Sequence, residues 1–421
     1  MAARQVRKLR AMLDTILPSN EFYARKFAEV GLHADDIDRL DDLRQVPFTT
    51  KDELSRDQRD HPPYGTILTY PIDRYVRLHQ TSGTTGTPLR WLDTADDWAW
   101  WMRCWDTIYE AACLTTADRL FIPASFGPFI GFWGAFDGAL HRGMLALAGG
   151  GMTSTARLRF MLENDVTVVL TTPTYALRLV EVAAEEGIDL RGSTVRALIV
   201  AGEPGGSIPA TRARMQTGWG AEVFDHSGMT EIGPVGFECL AHPGGVHLNE
   251  REWVVEVVEP DGDAPVPPGE QGELVLTNLG RWGAPLIRYR TADLVRLNDE
   301  RCACGRWLAR AEGGILGRVD DMVHIKGNNV YPGAIEAVIR GIDDVADYRA
   351  EVRETATGTS LRVEIEPAAR AGDGTEALVE QVSQAIRDSL HFRAEVNLVA
   401  PGSLPRSEGK GSRFVRIPEE A

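Results

Sequence analysis

The chain has 421 residues, 43% of them hydrophobic and 25% charged, and a formal net charge of −16. That length can hold two or three domains with a large core, while the acidic balance excludes wholesale attraction to nucleic-acid backbone or an anionic membrane. No apolar run approaches the roughly 18–20 residues of a membrane span, the first 13 residues lack an apolar signal region, and five cysteines make no disulfide framework, so a reducing cytoplasm is expected.

Residues 1–60 read as charged helices, with Leu9, Met12, Leu13, Ile16 and Leu17 at helical spacing and a second piece over 19–30. Thr50 and Glu53 read as a capping box opening another helix. Next comes Thr81-Ser82-Gly83-Thr84-Thr85-Gly86-Thr87-Pro88. Its glycines admit positive φ and its hydroxyls add donors, which suits an oxyanion and most naturally a polyphosphate. The run lacks the Gly-Lys-Ser/Thr ending of a Walker A loop, and taken alone it also fits an ordinary turn. Residues 89–92 read as a strand and 93–112 as a helix whose Trp98, Trp101 and Trp105 share one core-facing stripe. Residues 123–134 interleave Phe126, Phe129, Phe132 and Trp133 with Gly127, Gly131 and Gly134, without helical or strand period. Such a stretch fits either a buried aromatic loop or a flat apolar slot for a planar ligand.

From 139 to 235 helices (158–164, 175–187) alternate with strands (166–171, 197–201, 222–225), a pattern of parallel βαβ layers. Ligands of such layers sit beyond the carboxyl ends of strands, where Gly202-Glu203-Pro204-Gly205 and Ser227-Gly228-Met229-Thr230-Glu231 are expected to lie. Residues 236–310 turn β-rich, with candidate strands at 253–258, 272–277 and 287–290. A turn-rich run over 313–321 leads into a small α+β module, with strands expected at 322–325, 363–366 and 396–398 and helices at 333–341 and 376–390. The expected fold class is α/β: a large domain over 1–317 of parallel βαβ layers with a β-rich subdomain at about 236–317, then a small α+β domain over 322–421.

Five stretches occur in this order: 81–88, 227–231, Tyr289-Arg290-Thr291-Ala292-Asp293-Leu294, Gly317-Arg318-Val319-Asp320-Asp321 and Pro405-Arg406-Ser407-Glu408-Gly409-Lys410. Together they resemble the adenylate-forming superfamily of acyl-CoA synthetases, adenylation domains and luciferases. Lys326-Gly327-Asn328-Asn329-Val330-Tyr331-Pro332, the 405–410 tail and the short length look like the phenylacetate–CoA ligase branch. The resemblance runs from about Val46 onward. It implies that Thr81, Ser82, Gly83, Thr84, Thr85 and Gly86 hold the β- and γ-phosphates of ATP. Glu231 would ligate Mg²⁺, and Thr230 would contact the α-phosphate. Glu203 and Pro204 would lie by the adenine, with Asp225 and His226 behind it. Asp293 would accept from both ribose hydroxyls, and Arg318 would support the same ribose. Lys410 would reach the carboxylate and α-phosphate oxygens. The resemblance also implies a hinge over 318–321 turning about Asp320, a mobile C-terminal domain, and Gly327 beside the pantetheine tunnel. Phe126, Gly127, Phe132, Gly202, Ser227 and Gly228 would line the acyl pocket.

Two departures stand out: Ala292 where members often carry glycine, and Ser227 where many carry tyrosine. The aromatic residues of 126–133, with no cation for a second carboxylate, point to an aryl mono-acid. The implied activity is an ATP-dependent aryl acid–CoA ligase; loading of a carrier-protein phosphopantetheine, or a non-catalytic nucleotide sensor, stays open. A carrier protein and a second copy of the chain stay open as partners, with no nucleic acid and no membrane expected. Finally, Cys239, His247, Cys302 and Cys304 match a closed structural zinc site, the alternative being buried free thiols. Cys104 and Cys113 are expected in a helix core.

Overall fold

The computed structural model describes residues 1–81, 88–325, 328–355, 358–368, 375–406 and 413–417. Helix α1 (Ala2–Ile16) buries Leu9, Met12, Leu13 and Ile16 on one stripe. In α2 (Glu21–Glu29) the Asn20 side chain caps the first turn by accepting from the Tyr23 amide. The expected capping box of Thr50 and Glu53 opens α3 (Lys51–Asp60). Strands β1 (Tyr75–Gln80) and β2 (Arg90–Thr94) form an antiparallel hairpin around the 81–88 stretch. Strand β2 runs through Asp93 to Thr94, so α4 (Ala95–Ala111) starts two residues later than expected, where Thr94 and Asp97 form a capping box. Trp98, Trp101 and Trp105 are buried, as a core stripe should be.

The parallel layer follows: β3 (Arg119–Ile122), α5 (Ile130–Arg142), β4 (Leu145–Ala148), α6 (Ser154–Glu163), β5 (Val168–Thr171), α7 (Pro173–Glu185), β6 (Ala197–Ala201), α8 (Pro209–Trp219) and β7 (Glu222–Met229). Their order is β4-β3-β5-β6-β7, all parallel. Strand alternation sorts side chains between two cores. Leu120, Ile122, Val168, Leu170, Ile199 and Phe224 face α4 and α5. Phe121, Val169, Leu198, Val200 and Val223 face α6, α7 and α8. Because β4 lies on one side of β3 and β5 on the other, the sheet order reverses at β3. A crevice is expected beyond the carboxyl ends at that switch point, and loop 123–129 leaves β3 there.

Several expectations are corrected here, and one is Cys113, which is exposed past the end of α4 at φ 57° and not in a helix core. Residues 130–134 are not irregular but open α5. The glycines that hid its period have a packing reason: a Cβ on Gly134 would meet Trp105 Nε1 at 2.7 Å, and one on Gly138 would meet Trp105 Cβ at 2.6 Å. Strand β7 continues past Asp225 to Met229 because β8 (Gly233–Glu238) pairs with it antiparallel, His226 opposite Phe237 and Ser227 opposite Gly236. The sheet then runs on through β9 (Gly245–Leu248), β10 (Trp253–Val258), β11 (Gln271–Asn278), β12 (Tyr289–Asn298), β13 (Arg310–Glu312) and β14 (Gly317–Arg318). The β-rich region thus extends the parallel layer into one sheet, of twelve strands among the described residues. Strand β12 begins at Tyr289 instead of 287, since Arg288 has a positive φ of 48°.

The remaining elements are β15 (Val323–Ile325), β16 (Asn328–Val330), α9 (Pro332–Arg340), β17 (Val345–Thr355), β18 (Gly358–Pro367), α10 (Thr375–Leu390), β19 (Glu395–Leu398) and β20 (Phe414–Ile417). They form a four-stranded sheet in the order β19-β18-β17-β20 with a core of their own. Among the described residues this lobe meets the first where α9 lies against α8 and through polar contacts, with Arg214 donating to the Val345 and Ala346 carbonyls at 3.4 and 3.3 Å. Arg413 Nη1 donates to Thr174 Oγ1 at 2.7 Å, and Arg406 Nε lies 3.6 Å from Glu181. Among the described residues no helix is long and apolar enough to cross a membrane.

Ala292 sits at φ 60° within β12. A left-handed alanine stores about 1 kcal/mol, partly offset in a glycine variant by the looser unfolded chain. Ala292→Gly is expected to leave thermal stability unchanged or raise it by up to about 1 kcal/mol, while β-branched Ala292→Val lowers it by about 1–3 kcal/mol. Thermal unfolding monitors both, and a destabilised glycine variant contradicts the strain assignment.

Candidate active site

Arg281 organises the cleft. Its side chain is fully buried, with Nε and Nη2 donating to the two Asp93 carboxylate oxygens at 2.6 and 2.7 Å. Nη1 donates to the carbonyl oxygens of Thr230 and Glu231 at 2.7 and 3.1 Å. The guanidinium also lies 5.5 Å from the Trp91 ring and 5.3 Å from that of Trp101. Burial opposes ionisation of Asp93, but Arg281 outweighs it and holds the carboxyl below its usual range. One cation thereby ties the end of β2, just past the 81–88 stretch, to the turn after β7.

At the base of that stretch the Thr81 amide donates to the Leu89 carbonyl, and the Leu89 amide to Thr81 Oγ1, both at 3.0 Å. The Gln80 amide reaches the Pro128 carbonyl at 3.1 Å, joining the hairpin to the aromatic loop. Ser82, Gly83, Thr84, Thr85, Gly86, Gly327 and Lys410 lie outside the described residues.

Glu231 is 6% exposed, and its Oε1 accepts from the Tyr289 hydroxyl at 2.9 Å. Four residues along β12, Asp293 faces Arg318 of β14 across the strand pair, with Nη1 3.2 Å from Oδ1. Burial pushes Asp293 up to about 7, with Arg318 opposing the shift. Arg318 also forks onto Asp320, at 2.9 Å to each oxygen, and Arg416 donates to the Asp320 carbonyl at 2.9 Å. On the loop after β6, Glu203 Oε1 accepts from the Thr174 amide at 2.7 Å. Gly202 and Pro204 flank it. The residues at 225–228 divide by strand alternation. Asp225 bonds the Ser207 hydroxyl, and burial pushes its carboxyl up to about 7. His226 and Gly228 turn to the other face, toward α4 and α5, where the His226 ring lies 4.7 Å from that of Trp105.

Phe126 centres an aromatic cluster, with ring centroids 6.0 Å from Phe132, 5.1 Å from Trp133 and 5.6 Å from Phe136. Trp133 Nε1 donates to the Gly127 carbonyl at 2.8 Å. Phe136 was not singled out in the sequence, although Trp133 was; the four-residue spacing of Phe132 and Phe136 was the available signal. Farther off, ligand atoms of Cys239, His247, Cys302 and Cys304 all lie within 4.8 Å of one another. The distances are 3.5 Å from His247 Nε2 to the sulfurs of Cys239 and Cys304, and 3.8 Å between Cys239 and Cys302.

The hairpin flanking 81–88, the buried Glu231 carboxylate and the aromatic cluster on the loop after β3 thus all stand on the layer that carries the sheet switch point. In comparison with known families, residues 39–280 match the AMP-binding enzyme family and residues 327–416 the AMP-binding enzyme C-terminal domain. The chain belongs to the AMP-binding enzyme family. Among its members it is 34% identical to the phenylacetate–coenzyme A ligase of Thermus thermophilus (99% of this chain, 96% of that one). It is 32% identical to the phenylacetate–coenzyme A ligase of Escherichia coli (98% and 94%). A solved AMP-binding relative, 2-hydroxyisobutyryl-CoA ligase, was captured in two states. In the postadenylation state with 2-HIB-AMP it superposes with a TM-score of 0.93, at 28% identity, over 98% of this chain and 89% of that one. In the thioesterification state with 2-HIB-AMP and CoA the TM-score is 0.74, at 29% identity, over 99% and 90%.

Removing one partner of a buried ion pair strands the other charge, at a cost of about 3–5 kcal/mol. Arg281→Met is expected to destabilise this AMP-binding enzyme by that amount, and adding Asp93→Asn to recover part of the loss. Unfolding midpoints of the two single variants and the double variant decide it; additive losses contradict the pairing.

Proposed function

We propose that the protein is an AMP-forming aryl acid–CoA ligase. The near full-length likeness to phenylacetate–coenzyme A ligases carries this reading, and the aromatic cluster at the switch point supports an aryl acid. A carboxylate oxygen attacks the α-phosphorus of ATP, the bond to the β-phosphate oxygen breaks, and pyrophosphate leaves. The sulfur of CoA then attacks the acyl carbon, its proton going to solvent, and AMP departs. Both relatives act on coenzyme A, which favours CoA over a carrier-protein thiol.

In this reading the 81–86 stretch holds the β- and γ-phosphates, and Thr230 contacts the α-phosphate. Glu231, an oxygen donor oriented by Tyr289, suits a hard cation and would hold Mg²⁺. Mg²⁺, when bound, neutralises phosphate charge. Glu203 and Pro204 flank the adenine. Asp293, backed by Arg318, takes the ribose hydroxyls, for which its ionised form offers only acceptors. Lys410 brings positive charge to the carboxylate and α-phosphate oxygens as negative charge is displaced during adenylation. Pyrophosphate must leave before the thiol enters, so one site serves two steps, with the C-terminal lobe turning about Asp320 between them. The drop in TM-score from 0.93 to 0.74 between two states of one relative supports this.

The Cys239, His247, Cys302 and Cys304 set fits zinc. Bond lengths of about 2.3 Å to sulfur and 2.0–2.1 Å to nitrogen in a tetrahedron place sulfurs ~3.8 Å apart and sulfur and nitrogen ~3.5 Å apart, as found. His247 Nδ1 lies 3.2 Å from the Leu308 carbonyl, which directs its proton there and leaves Nε2 for metal. Zinc there would clamp β8 and β9 to the loop between β12 and β13.

Purified protein is expected to contain about one zinc per chain by elemental analysis, with Cys302→Ser losing it; less than half a zinc contradicts the site. Because only ionised Asp293 accepts both hydroxyls, ATP binding is expected to be about tenfold weaker at pH 6 than at pH 8, and nearly flat in Asp293→Asn. Titration calorimetry at both pH values tests this. Lys410→Ala is expected to lose adenylation by 10²-fold or more, on the order of a removed charge-stabilising group, yet to keep much of the thioester formation from supplied acyl adenylate. Equal loss of both steps contradicts the two-state assignment.

A further inference from the structure

His226 does something that its neighbours on β7 do not. Its ring is 7% exposed, and Nδ1 lies 2.6 Å from the Gly236 carbonyl oxygen. A carbonyl can only accept, so Nδ1 carries the proton and Nε2 keeps a lone pair. Burial lowers the pKa of His226 to about 4, so the ring stays neutral at physiological pH. Nε2 has no hydrogen-bond partner among the described residues. It is directed toward Gly228, two places along the strand and exposed: a Cβ built there would stand 3.5 Å from Nε2 and 2.9 Å from the Gly233 carbonyl oxygen. This face of the sheet is the one against which Phe126, Phe132, Trp133 and Phe136 pack. An aromatic face with one uncommitted acceptor beside it suits a planar group that carries a donor.

We propose that His226 Nε2 reads an O–H or N–H group on the ring of the acid, so that the substrates are hydroxy- or amino-substituted aryl acids instead of unsubstituted ones. This rests on the ligase reading above. A ring methyl has nearly the same size but would cover the acceptor and leave it unpaired, a loss that discriminates by about 10–100-fold. Strand alternation makes His226 the reader: Asp225 and Ser227 point to the opposite face.

The test is kcat/KM for CoA-dependent AMP release by the full chain, with benzoate, phenylacetate, the ortho, meta and para hydroxy- and aminobenzoates, and the matching methylbenzoates. At least one hydroxy or amino acid is expected to exceed its methyl isostere by tenfold or more, and the hydroxy and amino series tell the two donors apart. His226→Leu should bring that ratio to about one, and His226→Gln, which retains an acceptor oxygen, should keep a preference. Methyl or unsubstituted acids matching the substituted ones in the unaltered enzyme overturn the inference while leaving the ligase reading intact, as does an unchanged ratio in His226→Leu. Turnover of none of the acids overturns both readings.

Discussion

A guanidinium with no exposure to solvent has to be given a full set of partners or it will not stay buried. Arg281 finds its set in two carboxylate oxygens, two backbone carbonyls and two indole faces, drawn from three separate parts of the chain. Few arrangements satisfy all of these at once. The pair with Asp93 therefore sets where the turn at Thr230 and Glu231 stands relative to the hairpin around 81–88, more than it adds net stability. Tyr289 then aims the Glu231 carboxylate, and the same strand carries Asp293 four residues on. Much of the cleft's geometry descends from that one buried cation.

The second constraint is the sheet. Parallel strands deliver their loops to one edge, and the aromatic loop emerges at β3, where the order reverses and a crevice is expected. The antiparallel continuation through β8 adds Asp293 and Arg318 to the same cleft. The C-terminal lobe, by contrast, has its own core and meets the first lobe where α9 lies against α8 and through polar side chains. One of these contacts is indirect but informative: Arg413 bonds the Thr174 hydroxyl, and the Thr174 amide bonds Glu203. The loop expected to flank adenine is thus two hydrogen bonds from the second lobe, a short route between nucleotide and lobe position.

Local signals in the sequence were readable where the physics is local. The Thr50 and Glu53 box, the tryptophan stripe and strand 197–201 depend on neighbours a few residues apart, and all three stand in the structure. The zinc-type quartet was legible as a set of residue types, although its members come together only through the pairing of β8, β9 and β13. Other features depend on distant partners. Arg281 sits between glycine and tryptophan with no pattern to mark it, because its carboxylate partner is 188 positions earlier. The start of α5 was hidden by glycines that serve close contact with Trp105, and β7 looked short because β8, its antiparallel partner, comes later in the chain. The left-handed backbone at Ala292 has no sequence signature of its own.

The claim on which the rest stands is that the acid is activated as an adenylate before any thiol arrives. Exchange of labelled pyrophosphate into ATP, run with the full chain and aryl acids in the absence of CoA, examines that step by itself. The account predicts acid-dependent exchange that needs no CoA and is lost in Glu231→Gln. Exchange that is absent with every acid, or that appears only when CoA is added, contradicts it.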